Sequence, residues 1–327
     1  MSISRIVHSC LVTLTIGLMP LSSGPAASEE RLDIVATTGM VADTLHQIGG
    51  DHISIRNLMG PGVDPHLYRQ TRSDIAAMTR ADAIFWNGLY LEAQLEEFLF
   101  RLSEHRPVFA LGEAVPEDQR LSHEDYSDQY DPHIWMDPQR WRYVAEAARD
   151  ALIELDPEHR EDYQANAEDF LTQLDRLDEY ARKTLSSVPE SSQILVTAHD
   201  AFGYLGDAYG YDVLGIQGFS TESEAGLARI ENLVDLLVER QISAIFIESS
   251  VPRRNIEALI EGAASQGHDV SVGGELFSDA MGPAGTYEGT YIGMIDHNVT
   301  YITRALGGEA PAHGLNAKLA DDAEDNQ

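Results

Sequence analysis

The chain repeats itself, and this constrains its fold more than any other feature. Ile34-Val35-Ala36-Thr37-Thr38, with a helix-like stretch ending at Gly49-Gly50, matches Ile194-Leu195-Val196-Thr197-Ala198 and a stretch ending at Gly210, at an offset of 160. Asp82-Ala83-Ile84-Phe85 matches Ser243-Ala244-Ile245-Phe246 at an offset of 161, and Val108 to Glu113 resembles Val270 to Glu275 at 162. Three matches in the same order, drifting slowly, imply two lobes of one construction. Within each, short β-branched or aromatic runs alternate with amphipathic stretches such as Asp74 to Thr79 and Ile230 to Arg240. That alternation predicts an α/β fold: two lobes, each with a mostly parallel four-stranded sheet flanked by helices. Between them, residues 156–187 lack glycine and carry Phe170, Leu171, Leu174, Leu177 and Tyr180 at helical spacing. Pro157 suits the start of a helix and Val188-Pro189 its end. About thirty residues of helix reach roughly 45 Å, enough for one rigid strut along both lobes.

The boundaries follow: an N-terminal lobe over 29–155, the linking helix over 156–187, a C-terminal lobe over 188–310, and a polar, acidic, frayed tail over 311–327. Residues 1–28 read as an export signal, with Arg5 before the apolar run Ile6 to Leu21 and small residues before Glu29. The run is too short, and too interrupted by His8, to span a bilayer. Cys10, the only cysteine, lies within that signal and in a context unlike a lipid attachment site, so a periplasmic, unlipidated mature chain is expected. With no cysteine in the mature chain, any metal site must use His, Asp or Glu.

There are 54 acidic and 22 basic residues, a net charge of −32, and the only lysines are Lys183 and Lys318. Such a surface repels phosphate backbones and anionic headgroups, which excludes nucleic-acid and membrane-surface binding. It attracts cations, although life at high salt accounts for more of the excess.

In parallel α/β sheets, ligands bind outside the carboxyl ends of the strands. Four metal-capable side chains fall there. His66 follows the predicted strand Ile53 to Leu58, and His133 follows Val108 to Leu111 and a polar loop. His199 ends the strand from Ile194, and Asp279 follows Val270 to Val272. In the repeated Asp-Pro-His, Asp64 is expected to cap a helix whose first turn holds Pro65, so that His66 sits on a pre-set backbone. Three imidazoles and a carboxylate suit Zn²⁺ and accept Mn²⁺ or Fe²⁺. Four protein donors leave no position for catalytic water, and no His-Glu-x-x-His occurs, which favours binding over catalysis.

Other features weigh less. The acidic loop 122–128 with His123 could collect cations, but reads more simply as a solvated loop. Glu248 could support a ligand, act as a fifth one, or pair with Arg253 or Arg254, and the ion pair is expected. Ser220 to Glu224 reads as a capping box. Trp135 and Phe277 are expected to wall the site.

The motifs Gly-Val-Asp-Pro-His-Leu-Tyr (62–68), Asp-Pro-His-Ile-Trp-Met-Asp-Pro (131–138), Val-Thr-Ala-His-Asp-Ala-Phe-Gly-Tyr (196–204) and Leu-Phe-Ser-Asp-Ala-Met-Gly (276–282) resemble those of the TroA-like and ZnuA-like metal-binding proteins of bacterial ABC importers. The resemblance covers Leu32 to Leu306. It implies a rigid backbone helix, one buried metal ion held at positions matching His66, His133, His199 and Asp279, and docking on a membrane permease driven by a cytoplasmic ATPase. A monomer is expected. Manganese-type relatives usually carry Glu at the third ligand, whereas His199 matches the zinc type. The long His-rich loop of many ZnuA-like members is absent. Zinc is favoured over manganese because imidazole-rich sites follow the Irving–Williams order. The alternatives are a periplasmic zinc-dependent hydrolase, a binding module for organic solutes, and a metal-binding adhesin.

Overall fold

Among the described residues, eight strands pair in ladders that are all parallel. The structure is a computed structural model and describes residues 31–122 and 129–320. In the first half, strands β1 (Leu32–Ala36), β2 (Ile53–Asn57), β3 (Ala83–Trp86) and β4 (Val108–Ala110) form one sheet in the order β2-β1-β3-β4. Helices α1 (Gly39–Gly49), α2 (Arg72–Arg80) and α3 (Ala93–Ser103) connect them. The second half repeats the pattern with β5 (Ile194–His199), α6 (Gly203–Tyr209), β6 (Asp212–Gln217), α7 (Leu227–Glu239), β7 (Ala244–Glu248), α8 (Arg254–Ser265) and β8 (Ser271–Leu276). The duplicated α/β reading thus holds in element order.

One detail differs from the sequence-based expectation. The second sheet is assigned as two parallel pairs, β5-β6 and β7-β8, with β5 beside β7. The register of β7 and β8 slips between Ile245 and Phe246, where Gly273 is the extra residue. A bulge of this kind interrupts the ladder and twists the strand.

The halves are joined by α4 (Pro138–Leu155) and α5 (Arg160–Leu185). Asp137 caps α4 by accepting the Gln139 N–H, with Pro138 in the first turn. Helix α5 is 26 residues long, about 39 Å. Its buried face repeats every three or four residues: Tyr163, Ala167, Phe170, Leu174, Leu177 and Ala181. That face packs on α4, on α1 of the first half and on α9 (Tyr291–Ala305) of the second, with Phe170 edge-on to Tyr291. The largest core cluster therefore runs through both halves along α5, beside a smaller cluster within each half. The helix starts four residues later than expected, because Pro157–His159 form a separate 3-10 turn.

The tail is not frayed up to Leu319. Both oxygens of buried Asp296 accept the Leu315 N–H, at 2.8 and 2.9 Å, and Leu319 is buried. A polar composition concealed this anchoring. The export signal (1–28), most of the acidic loop (123–128) and the end of the tail (321–327) lie outside the described residues. Among the described residues, no helix is long and apolar enough to cross a membrane.

Candidate metal centre

The four candidate donors converge. Their ligand atoms lie within 4.8 Å of one another, and all four residues are buried. His66 stands in the loop after β2, His133 in the loop after β4, His199 is the last residue of β5, and Asp279 follows β8. Each parallel strand delivers its carboxyl end to the same edge, so the two halves meet donor to donor.

Each donor is held in its own way. Gly62, in a left-handed conformation (φ +71°), turns the chain into Asp64, whose Oδ1 accepts the His66 N–H at 2.9 Å. Asp131 does the same for His133 at 2.9 Å and also meets its ring Nδ1 at 2.6 Å. No helix begins at Asp64; the next one is α2, from Arg72. Asp64 and Asp131 therefore form local Asx turns instead of the expected helix cap. Trp135 packs edge-on to His133 and donates its indole N–H to the Ser278 carbonyl at 2.8 Å, closing one wall. Phe277 packs on the ring of His297, which is not one of the four donors.

Glu248 corrects a second expectation. One of its oxygens accepts the His199 N–H at 2.8 Å and the other meets His199 Nδ1 at 2.5 Å. Arg253 pairs with Glu275 and Arg254 with Glu224. Glu248 ends β7 as His199 ends β5, and it is the placing of β5 beside β7 in the fold that brings the two together. The 220–224 stretch is likewise not a cap, since α7 starts after Gly226 without a side-chain bond. Instead, the Thr221 hydroxyl donates to Asp64 Oδ2 at 2.6 Å.

The distances fit a small cation. His133 Nε2 lies 3.4 Å from both His66 Nε2 and His199 Nε2. Asp279 oxygens lie 3.2 Å from His133 and from His199, and 3.8 Å from His66. A tetrahedron with metal–ligand bonds of about 2.0–2.1 Å has edges of about 3.3–3.4 Å. Both Asp279 oxygens are buried and accept no hydrogen bond. A carboxylate so placed is unfavourable unless a positive charge faces it.

The electrostatics agree. Burial lowers the His66 pKa to about 3, so this ring stays neutral. Burial also opposes charge on His133, but the Asp131 carboxylate, with help from Asp279, raises its pKa to about 9. For His199, burial is outweighed by the charges of Asp279 and Glu248, and the pKa is raised well above the usual range. Burial alone would raise the Asp279 pKa, yet His199 and His133 hold it well below that of an ordinary carboxylic acid. The cluster therefore gathers positive charge on itself, and a metal ion would displace those protons.

A cleft of this form, set between two parallel α/β lobes on one long helix, defines a two-lobed solute-binding protein. The chain belongs to the ZnuA family, described as zinc-uptake complex component A, periplasmic, which matches residues 34–305. It is 43% identical over 302 residues to the zinc-binding protein TroA of Treponema pallidum (strain Nichols), covering 91% of this chain and 97% of TroA. It is 42% identical over 285 residues to the manganese-binding lipoprotein MntA of Bacillus subtilis (strain 168), covering 87% of this chain and 92% of MntA. Its structure superposes on that of the periplasmic zinc-binding protein TroA of Treponema pallidum with a TM-score of 0.83 at 44% identity, covering 85% of this chain and 99% of TroA.

Proposed function

We propose that this protein captures one divalent transition-metal ion, Zn²⁺ in preference to Mn²⁺, with His66, His133, His199 and Asp279, and delivers it to an ABC permease. The observation that carries this reading is a buried carboxylate free of hydrogen bonds, set against three imidazole nitrogens at the edge lengths of a tetrahedral shell. Three nitrogens and one oxygen match Zn²⁺ in coordination number and donor type, and such sites hold Zn²⁺ more tightly than Mn²⁺. The names of the relatives divide between zinc and manganese, so the preference for zinc rests on donor chemistry. Four protein donors also leave no coordination position for a hydrolytic water, which supports a carrier over a hydrolase.

The protein works outside the cytoplasm as a monomer, and its partner is the membrane permease with a cytoplasmic ATPase. The name of MntA runs against the expectation that the chain carries no lipid, while TroA is named without one. The mass of the exported protein decides whether Cys10 is removed with the signal.

Titration of the metal-stripped protein with Zn²⁺, monitored against a chromophoric chelator, should give one ion per chain. The variant His66→Ala should lose at least tenfold in affinity. A variant that bound as tightly as the parent would refute the site.

A further inference from the structure

Two of the three imidazoles are oriented through their rings, and the third is not. His133 Nδ1 rests on Asp131 and His199 Nδ1 on Glu248, both carboxylates. Among the described residues, no such partner stands behind His66 Nδ1. His66 is placed through its backbone, by the bond from its N–H to Asp64 Oδ1 at 2.9 Å. The other oxygen of Asp64 receives the hydroxyl of Thr221 at 2.6 Å, from a residue 157 positions away in the second lobe.

Thr221 lies in the loop Phe219 to Gly226, between β6 and α7, and is only 8% exposed. Gln217 Nε2, at the end of β6, donates to the Ser223 carbonyl at 3.0 Å and steadies the loop from its own lobe. A second link between the lobes, from Gln94 Nε2 to Glu222 at 2.6 Å, is exposed. Water competes for an exposed contact, whereas a buried hydroxyl–carboxylate bond is broken at a cost. The Thr221–Asp64 bond, with Thr221 buried and Asp64 half-buried, is thus the better shielded link between this loop and the His66 turn.

We propose that Thr221 is a positioning residue: its hydroxyl latches the second lobe to Asp64 and so holds His66, which is the first ligand to leave when the metal departs. The proposal rests on His66 being a ligand. Breaking the latch frees the turn 62–66, and His66 has no ring partner to retain it. The latch then sets the rate of metal loss, while capture, which begins at the other three donors, is unaffected by it.

The test is a stopped-flow chase of the Zn²⁺-loaded protein with excess chelator. Thr221→Val, which keeps the shape and removes the hydroxyl, should release Zn²⁺ about tenfold faster, as expected for a lost hydrogen bond to a charged acceptor. Its association rate should stay within twofold and its stoichiometry at one, and Thr221→Ser should restore the parent rate. A merely structural role would lower the unfolding temperature without changing the off-rate. An off-rate in Thr221→Val within twofold of the parent overturns the latch, as does an equal acceleration in Gln94→Ala. Hydrogen exchange in the unmutated, loaded protein gives a measurement that needs no variant. Segments 62–68 and 219–226 should open at the same rate, and unrelated rates overturn the proposal even if Thr221→Val does not fold. If His66→Ala bound Zn²⁺ like the parent, the site assignment would fail; weakened His66→Ala with an unchanged Thr221→Val means that only the latch fails.

Discussion

Glu248 offers a sensitive test of how the cleft tunes its metal affinity. Its carboxylate accepts two bonds from one residue, the His199 backbone N–H at 2.8 Å and the ring Nδ1 at 2.5 Å, with both side chains buried. Glu248→Gln preserves the volume but provides one accepting oxygen for two donors, and it turns an N–H towards one of them. The effect on the metal has two parts of opposite sign. A carboxylate behind an imidazole makes it a stronger donor, and losing such a partner costs about 10- to 100-fold in metal affinity, or about 1.4–2.7 kcal/mol. The same carboxylate, together with Asp279, keeps His199 protonated to higher pH in the metal-free protein, so the incoming ion must displace that proton. Removing Glu248 relieves this competition. The loss of affinity should therefore be smaller at pH 6.5 than at pH 8.5, where proton competition weakens and the intrinsic loss shows. Competition against a chromophoric chelator at both pH values measures the affinities. Calorimetry in buffers of different ionisation enthalpy counts the protons released, which should fall in the variant at pH 6.5. A variant with unchanged affinity at both pH values and an unchanged proton count would refute this account of Glu248.

Two further outcomes follow from the same geometry. His133, raised to about 9, contributes stability that is fully present below its ordinary pKa of 6.5 and is lost as pH rises through 9. Metal-free protein should thus lose thermal stability between pH 7 and 10 while the Zn²⁺-loaded form does not, and Zn²⁺ binding at pH 7 should release more than one proton; a flat metal-free profile would contradict the assignment. Phe170→Ala, in the fully buried face of α5 against Tyr291, should cost about 3–5 kcal/mol of stability by thermal or denaturant unfolding and leave one Zn²⁺ bound per chain, provided the experiment is done below the lowered midpoint.

The sequence repeat locates the donor positions without explaining how they are held. The strand-end rule singles out His66, His133, His199 and Asp279 because it needs only the direction of each strand. Their supports come from contacts at long range. Glu248 lies 49 residues from His199, and Thr221 lies 157 from Asp64. Nothing in the local pattern around either residue distinguishes these contacts from an ion pair or a cap, because the docking of strands and lobes creates them. The protonation of the site depends on the same long-range contacts. An ordinary imidazole would begin to charge below about pH 6, whereas His133 is raised to about 9 by carboxylates that only the fold brings together. The Asp296 anchor shows the same limit in the tail, where an acidic, polar segment is tied down by a carboxylate from α9.

The two copies are alike in fold but unlike in chemistry. His133 and Asp279 both follow the fourth strand of their lobe and are true counterparts. His66 and His199 are not: one follows a second strand and the other ends a first strand. In the first lobe the position 160 residues before His199 is Gly39, which offers no donor; just after β1, Thr37 donates its hydroxyl to the fully buried Glu92 at 2.6 Å, and Glu92 also accepts the Asn87 and Gly88 N–H groups. Asn87 in turn donates to the Pro132 carbonyl, next to His133. In one lobe the first-strand end supports a donor from behind, and in the other it is the donor. A strictly symmetric cleft would present matched donors from each half around a two-fold axis. This one places two imidazoles with ring carboxylates deep in the cleft and leaves His66 on a turn held from the opposite lobe. The asymmetry gives the cleft a fixed floor and one releasable side.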